Sequence, residues 1–238
     1  MKTKSPQLLF ITGTDTDVGK TYVACGVARC LKQRQEPFGV MKPFASGVEK
    51  RGAALQSADS DALKAAAGVT DADDLITPVK YLAPLAPNWA ARVEERPVDL
   101  ARARAALKLL LEKYPRAVLE GIGGLMCPLT DDVTLLDFIA PFHPRALIVS
   151  HLTLGTLNHT LLTVEALRRR NVEMLGVVCN ATRPSTNVMA EQTNPENLRG
   201  LLKGIRVFDP IPYRPVGRQA DGVFASITDA WLAAHPVR

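Results

Sequence analysis

Apolar residues recur along the chain in two alternating rhythms. Short aliphatic runs at 8–12, 38–41, 117–120, 146–150, 174–179 and 206–209 predict strands. Longer segments near 20–34, 60–67, 99–113, 132–140, 159–170, 195–203 and 222–234 place their apolar residues at helical spacing. Leu107, Leu110 and Leu111 form one such stripe, and Leu161, Leu162, Val164 and Leu167 another; both read as core. Strands that are apolar throughout, separated by helices, predict an α/β fold with a mostly parallel β-sheet flanked by helices on both faces. The Pro-rich stretch 78–97 breaks the alternation and reads as an irregular excursion over the sheet edge. With no linker, repeat or low-complexity tract, residues 1–238 read as a single domain.

The polar residues that interrupt this pattern sit where strands end. Gly-Thr-Asp-Thr-Asp-Val-Gly-Lys-Thr at 13–21 follows the run Leu8-Leu9-Phe10-Ile11 and opens the first helix. Backbone N–H groups of such a loop, with the helix start, form a donor surface for phosphate oxygens. Lys20 suits β- and γ-phosphate charge and the Thr21 hydroxyl suits Mg²⁺, so the fold is expected to be of the P-loop NTPase type and to bind a nucleoside triphosphate. Five residues, one more than the usual spacing, separate Gly13 from Gly19.

Lys42 and Ser46 follow the second strand, Glu120 and its glycine-rich turn the third, Leu154 to Asn158 the fourth, Asn180 the fifth, and Pro210 to Tyr213 the sixth. All leave the carboxyl ends of parallel strands, the edge at which open α/β sheets bind ligands. A lysine ending a buried strand needs an anion, which makes Lys42 a second cation for a phosphoryl group or a carboxylate-like substrate. Glu120 and Asp61, with the Thr21 hydroxyl, offer the oxygen donors of a Mg²⁺ shell, while helix capping accounts for Asp59 or Ser60. The Asn180 amide, donor and acceptor together, suits the edge of adenine; guanine-selective loops use Asn-Lys-x-Asp where this chain has Asn180-Ala181-Thr182-Arg183. Asn158 is expected to cap a helix over 160–170, leaving the Gly155-Thr156 amides for a carboxylate.

Composition narrows this picture. A hydrophobic content of 47% with 22% charged residues is that of a globular protein. No apolar stretch reaches the roughly 18 residues of a membrane span, and Met1 to Pro6 shows no signal-peptide core, so a cytoplasmic enzyme is expected. The net charge of +5 is spread over scattered basic residues, and 5% aromatics give no stacking surface, so no nucleic-acid or membrane partner is expected. Cys25, Cys30, Cys127 and Cys179 form no Cys-x-x-Cys pair, and His143, His151, His159 and His235 have no metal spacing.

Taken in order, 13–21, Lys-Pro-Phe-Ala-Ser-Gly (42–47), Asp-Ser-Asp-Ala (59–62), Glu-Gly-Ile-Gly-Gly (120–124), Leu-Gly-Thr-Leu-Asn-His-Thr (154–160) and Ile-Pro-Tyr (211–213) resemble the dethiobiotin synthetase family. The six-residue step from Gly13 to Gly19 is that family's loop variant. The resemblance implies ATP- and Mg²⁺-dependent closure of a cyclic urea from 7,8-diaminononanoate (7,8-diaminopelargonate) and CO₂ by a homodimer. It makes Lys20 and Lys42 catalytic and gives Thr21, Asp61 and Glu120 the metal. Nucleotide would lie on Asp17, Val18, Gly19, Lys20, Thr21 and Tyr22, on Asp61 and Glu120 to Gly123, and on Asn180, Ala181, Pro212, Tyr213 and Arg214. Substrate would lie on Thr16 and Ser46, with Leu154, Gly155 and Asn158 holding its distant carboxylate across a dimer interface. The chain departs from the family's pattern at Ile122, at Asn88 and after Asn180. A partitioning or positioning ATPase is the alternative on the same fold, but such proteins carry a second lysine where this chain has Thr14.

Overall fold

A computed structural model describes residues 7–185, 187–213 and 220–233. The first strand, β1 (Gln7–Gly13), runs through the phosphate loop into α1 (Lys20–Gln33), which leads to β2 (Gly39–Met41). A small subassembly follows: β3 (Phe44–Ser46), the hairpin β4 (Glu49–Arg51) and β5 (Ala54–Gln56), α2 (Ala58–Ala67), α3 (Asp73–Ile76), β6 (Val79–Tyr81) and α4 (Pro87–Val93). The main alternation resumes with α5 (Leu100–Lys113), β7 (Arg116–Glu120), α6 (Leu135–Ile139), β8 (Arg145–His151), α7 (Thr156–Arg169), β9 (Glu173–Asn180), α8 (Val188–Leu201) and α9 (Asp221–Ala233).

Five strands form one parallel sheet in the order β2-β7-β1-β8-β9. Side chains of a strand alternate between faces, so each strand feeds two cores. Leu8 and Phe10 join Leu107, Leu110, Phe138, Val164 and Leu167 under α5, α6 and α7. Leu9 and Ile11 join Val27, Leu31, Leu63, Phe224 and Trp231 under α1, α2 and α9. Burial on both faces is why these strands are continuously apolar. Cys25, Cys30 and Cys179 are buried free thiols, and Cys127 is half-buried. Among the described residues no helix is long and apolar enough to cross a membrane.

Several expected elements differ. The run 206–209 is reduced to bridges beside β9, Val177 with Val207 and Asn180 with Ile211, because Pro210 and Pro212 lack the N–H groups a continuous ladder needs. The stretch 78–97 is not wholly irregular: β6 pairs in parallel with β3, and Pro87 starts α4 at a first-turn position. α8 begins at 188 because Asn187 accepts from the Ala190 amide as its cap, leaving Pro195 inside the helix. α6 is shorter than expected, held by a reciprocal Thr134–Asp137 cap and followed by a 3₁₀ turn, Ala140–Phe142. Arg214, His235 and Met1 to Pro6 lie outside the described residues.

Candidate active site

The carboxyl ends of β1, β2, β7, β8 and β9 open on one side of the sheet, and the phosphate loop curls over that edge. Two left-handed residues, Asp17 (φ 57°) and Gly19 (φ 92°), shape the loop. A Cβ on Gly19 would stand 2.2 Å from Asn180 Nδ2, so both conformation and space demand glycine there. The first turn of α1 contains no acidic side chain, which leaves its amides free for an anion. Lys20 folds back to donate to the Asp15 carbonyl at 2.8 Å. Burial lowers the Lys20 pKa; Glu120 opposes this and the neighbouring Lys42 charge reinforces it.

Directly beside the loop, Lys42 leaves β2 with its amide held by the Ile76 carbonyl. Its side chain is buried, and the ammonium donates to Asp59 Oδ2 at 2.5 Å and Glu120 Oε1 at 2.6 Å. Burial opposes the charge on Lys42, but the two carboxylates outweigh it and hold its pKa above the ordinary lysine value. Glu120, the last residue of β7, is fully buried, and its Oε1 also accepts from the Thr21 hydroxyl at 2.6 Å. These groups line a cavity of about 400 Å³, with Thr16, Asp17, Gly19, Ser46, Ile122 and Gly123 completing its wall.

Of the expected metal ligands, Thr21 and Glu120 are in contact and Asp61 is not brought to them. Helix α2 starts at 58, capped by Ser57, two residues earlier than expected. Residues two apart on a helix point about 200° from each other, so Asp59 and Asp61 cannot face one cavity. Asp59 is the one that lines it, although its place at a helix start reads from the sequence as a capping role. Burial opposes ionisation of Asp59, yet Lys42, with Thr21 and Lys20 adding, keeps its pKa below the usual carboxylate value. The signal that could have exposed Asp59 was Ser57, the true cap, which resets the phase of the helix.

Other expected residues are distributed around this centre. Val18 is buried, and its carbonyl accepts from Asn180 Nδ2 at 2.9 Å, so one amide proton of Asn180 braces the loop. Tyr22 packs edge-on against Phe224 of α9, on the core side of α1. Gly121 donates its amide to Ile11, and Ala181 to Ile211. Pro212 and Tyr213 follow that bridge and are exposed, which sets them near Asn180 along the backbone. Leu154, Gly155 and Asn158 form the exposed start of α7, apart from the cavity wall. The helix begins at Thr156 with Gly155 as its cap, so Asn158 lies in the first turn and is not the cap that was expected.

A lysine-closed anion cradle at the carboxyl edge of a parallel sheet is the hallmark of the P-loop class of nucleoside triphosphate-binding proteins. The family model described as an AAA domain matches residues 7–218. Among solved structures, a putative plasmid partition protein from Borrelia burgdorferi bound to AMPPNP superposes with a TM-score of 0.57 at 13% identity, covering 97% of this chain and all of that one. The septum site-determining protein MinD from Pyrococcus horikoshii, complexed with Mg-ADP, does so with a TM-score of 0.55 at 16% identity, covering 94% of this chain and 95% of that one. At such identities these likenesses speak for the fold alone.

Sequence relatives are much nearer. The ATP-dependent dethiobiotin synthetase BioD of Thermodesulfovibrio yellowstonii is 38% identical over 200 residues, covering 81% of this chain and 83% of the relative. That of Anaeromyxobacter dehalogenans is 43% identical over 176 residues, covering 74% and 77% respectively. This chain belongs to the ATP-dependent dethiobiotin synthetase family.

Proposed function

We propose that the protein uses ATP to close 7,8-diaminononanoate and CO₂ into the cyclic urea dethiobiotin, releasing ADP and phosphate. The observation that carries this reading is the placement of two ammonium groups, Lys20 within the phosphate loop and Lys42 beside it, along one cavity wall. One amine of the diamine adds to CO₂ and loses a proton, giving a carbamate. A carbamate oxygen attacks the γ-phosphorus and ADP leaves. The second amine then attacks the carbonyl carbon of the mixed anhydride, forming the second C–N bond as phosphate departs. Charge on the carbamate and on the moving phosphoryl group builds in the same small space, which is where fixed cations lower a barrier most. Lys20 serves the phosphoryl oxygens and Lys42 the carbamate side, with Ser46 and Thr16 on the substrate wall.

The donor set also suits Mg²⁺. Glu120 Oε2 is buried without a hydrogen-bond partner, a costly state that a cation relieves. Among the described residues no group of three or more His, Cys, Asp or Glu is preassembled for a metal. That matches an ion held by one or two protein oxygens and by substrate phosphates. Glu120 and the Thr21 hydroxyl would hold it, and it would neutralise phosphate charge. Asn180 and Ala181, with Pro212 and Tyr213, form the nucleotide's base side. The exposed start of α7, with Leu154, Gly155 and Asn158, belongs to a homodimer in which it meets the substrate carboxylate of the partner's site. A cytoplasmic location completes the reading.

The test is to combine the protein with ATP, Mg²⁺, bicarbonate and the diamine and to analyse the products by mass spectrometry. A cyclic urea formed in step with ADP supports the proposal. ATP hydrolysis indifferent to the diamine contradicts it.

A further inference from the structure

A second cavity, of about 470 Å³, opens in the small subassembly and shares no residue with the catalytic one. Its walls come from β5, α3, β6, the segment after α4, and α5. Three cations line it, Lys80, Arg96 and Arg102, together with Asp73 and Asp74. Both acids are already engaged. Asp73 accepts from Lys64 Nζ at 2.5 Å, and Asp74 pairs with Arg102 at 2.9 Å. Lys80 is different. It sits at the centre of β6 between the buried Val79 and Tyr81 and is itself half-buried. Every other buried or half-buried lysine among the described residues has an acceptor: Lys20 the Asp15 carbonyl, Lys42 two carboxylates and Lys64 Asp73. Among those residues Lys80 has neither a hydrogen bond nor an ion pair.

An ammonium partly withdrawn from water without an acceptor loses solvation that an anion restores. The two arginines are placed to assist. Arg96 lies over the Tyr81 ring at 4.6 Å, and its bonds to the Lys80 carbonyl and to Glu94 both leave from Nη2. Arg102 engages Asp74 through Nη2. A guanidinium carries five N–H donors, so both side chains keep donors free for a planar oxyanion. The pairs Asp73–Lys64, Asp74–Arg102 and Glu94–Arg96 cancel in charge, which leaves the cavity the single surplus charge of Lys80. That balance suits a monoanion. Leu55, Ala72 and Pro78 add apolar surface to the same walls. We propose that this cavity binds a small carboxylate with a short apolar body, its head on Lys80, Arg96 and Arg102 and its body against Leu55 and Pro78. The site stands apart from the catalytic cavity and does not depend on the reaction assigned there.

The test is a nuclear magnetic resonance titration of the ¹⁵N-labelled protein with sodium hexanoate and, separately, sodium acetate at constant ionic strength. Hexanoate is expected to move the amides of residues 54–55, 72–80, 96 and 102 along one saturable curve. Acetate has the same head but almost no body, and is expected to bind there about tenfold or more weakly, through the lost burial of methylene groups. Lys80→Gln is expected to weaken hexanoate by about tenfold, the scale of a lost hydrogen bond to a charged group. Lys80→Arg keeps the charge and most of the affinity. Lys108→Gln, on the exposed side of α5 and outside the cavity, is expected to change nothing. Full affinity in Lys80→Gln, an equal loss in Lys108→Gln, or equal binding of acetate and hexanoate overturns the proposal. So do shifts confined to residues 14–21 and to the start of α7, which would place the carboxylate elsewhere. Because Lys80 holds no partner, its substitution removes no contact of the fold, and the amide spectrum of each variant verifies that directly.

Discussion

The Asn180 side chain donates to the Val18 carbonyl across 162 positions of sequence, bracing the phosphate loop from the end of β9. Both residues are buried. Asn180→Ala removes the donor and leaves a buried carbonyl unsatisfied, which costs about 1–3 kcal/mol. Thermal unfolding without nucleotide is expected to shift down by several degrees, at roughly 2–4 °C per kcal/mol for a chain of this size. The Michaelis constant for ATP is expected to rise as the loop loosens. Asn180→Asp sets a carboxylate against the carbonyl and is expected to be worse than alanine.

Gly19 depends on the same brace. Its φ of 92° and the 2.2 Å approach to Asn180 Nδ2 exclude any Cβ, so Gly19→Ala is expected to abolish ATP binding as measured by calorimetry. Gly200 in α8 is exposed, and a Cβ there meets nothing within 4 Å. Gly200→Ala is expected to leave binding unchanged and to stabilise the fold slightly, by about 0.5–1 kcal/mol at most.

Lys42 lies beside the phosphate loop and not within it, so its removal separates binding from chemistry. Lys42→Ala is expected to keep ATP affinity near normal and to reduce ring closure by about 10²-fold or more, the scale found for a lost charge-stabilising donor. Steady-state kinetics with the diamine and ATP varied in turn read both quantities. Near-normal turnover would refute the role assigned to this lysine. The variant also leaves Glu120 and Asp59 without their ammonium, so a lower melting temperature is expected, recovered when a divalent ion is added.

The lock between Asp71 and the end of α5 predicts a pH dependence of stability. Asp71 is buried and accepts from Lys113 Nζ at 2.5 Å and Tyr114 Oη at 2.8 Å. Burial alone would raise its pKa, but these two partners hold it below the usual aspartate value of 3.8. A carboxyl whose folded pKa is depressed stabilises the fold above its unfolded pKa and loses that contribution as pH falls through the folded one. Asp71→Asn is therefore expected to destabilise the protein at neutral pH and to approach the wild type in acid, in urea unfolding curves recorded between about pH 7 and pH 3.

What the chain revealed in advance follows from what each signal encodes. Continuous apolar runs report burial on two faces, so the central strands and the convergence of Lys20, Lys42 and Glu120 at one edge were legible. Rotational phase was not. Asp59 and Asp61 differ by one helical offset, and starting α2 at 60 when Ser57 is the true cap points the wrong acid at the cavity. The same error of origin moved the cap of α7 from Gly155 to Asn158, because a left-handed glycine cap offers no side chain to recognise. Proline misled twice in opposite senses. The pattern places Pro195 at a helix start while the fold carries it inside α8, and the run before Pro210 reads as a full strand while the ladder stops at bridges. The brace from Asn180 to Val18 was invisible, since no local pattern links residues so far apart.

The proposed chemistry has a carbamate oxygen attack the γ-phosphorus in the cavity flanked by Lys20 and Lys42. It is tested most directly by following oxygen. In a rapid single turnover begun with ¹⁸O-labelled CO₂, ¹⁸O is expected in the released phosphate together with ring closure of the diamine. Product formed with unlabelled phosphate, under conditions where the CO₂ keeps its label, would contradict it.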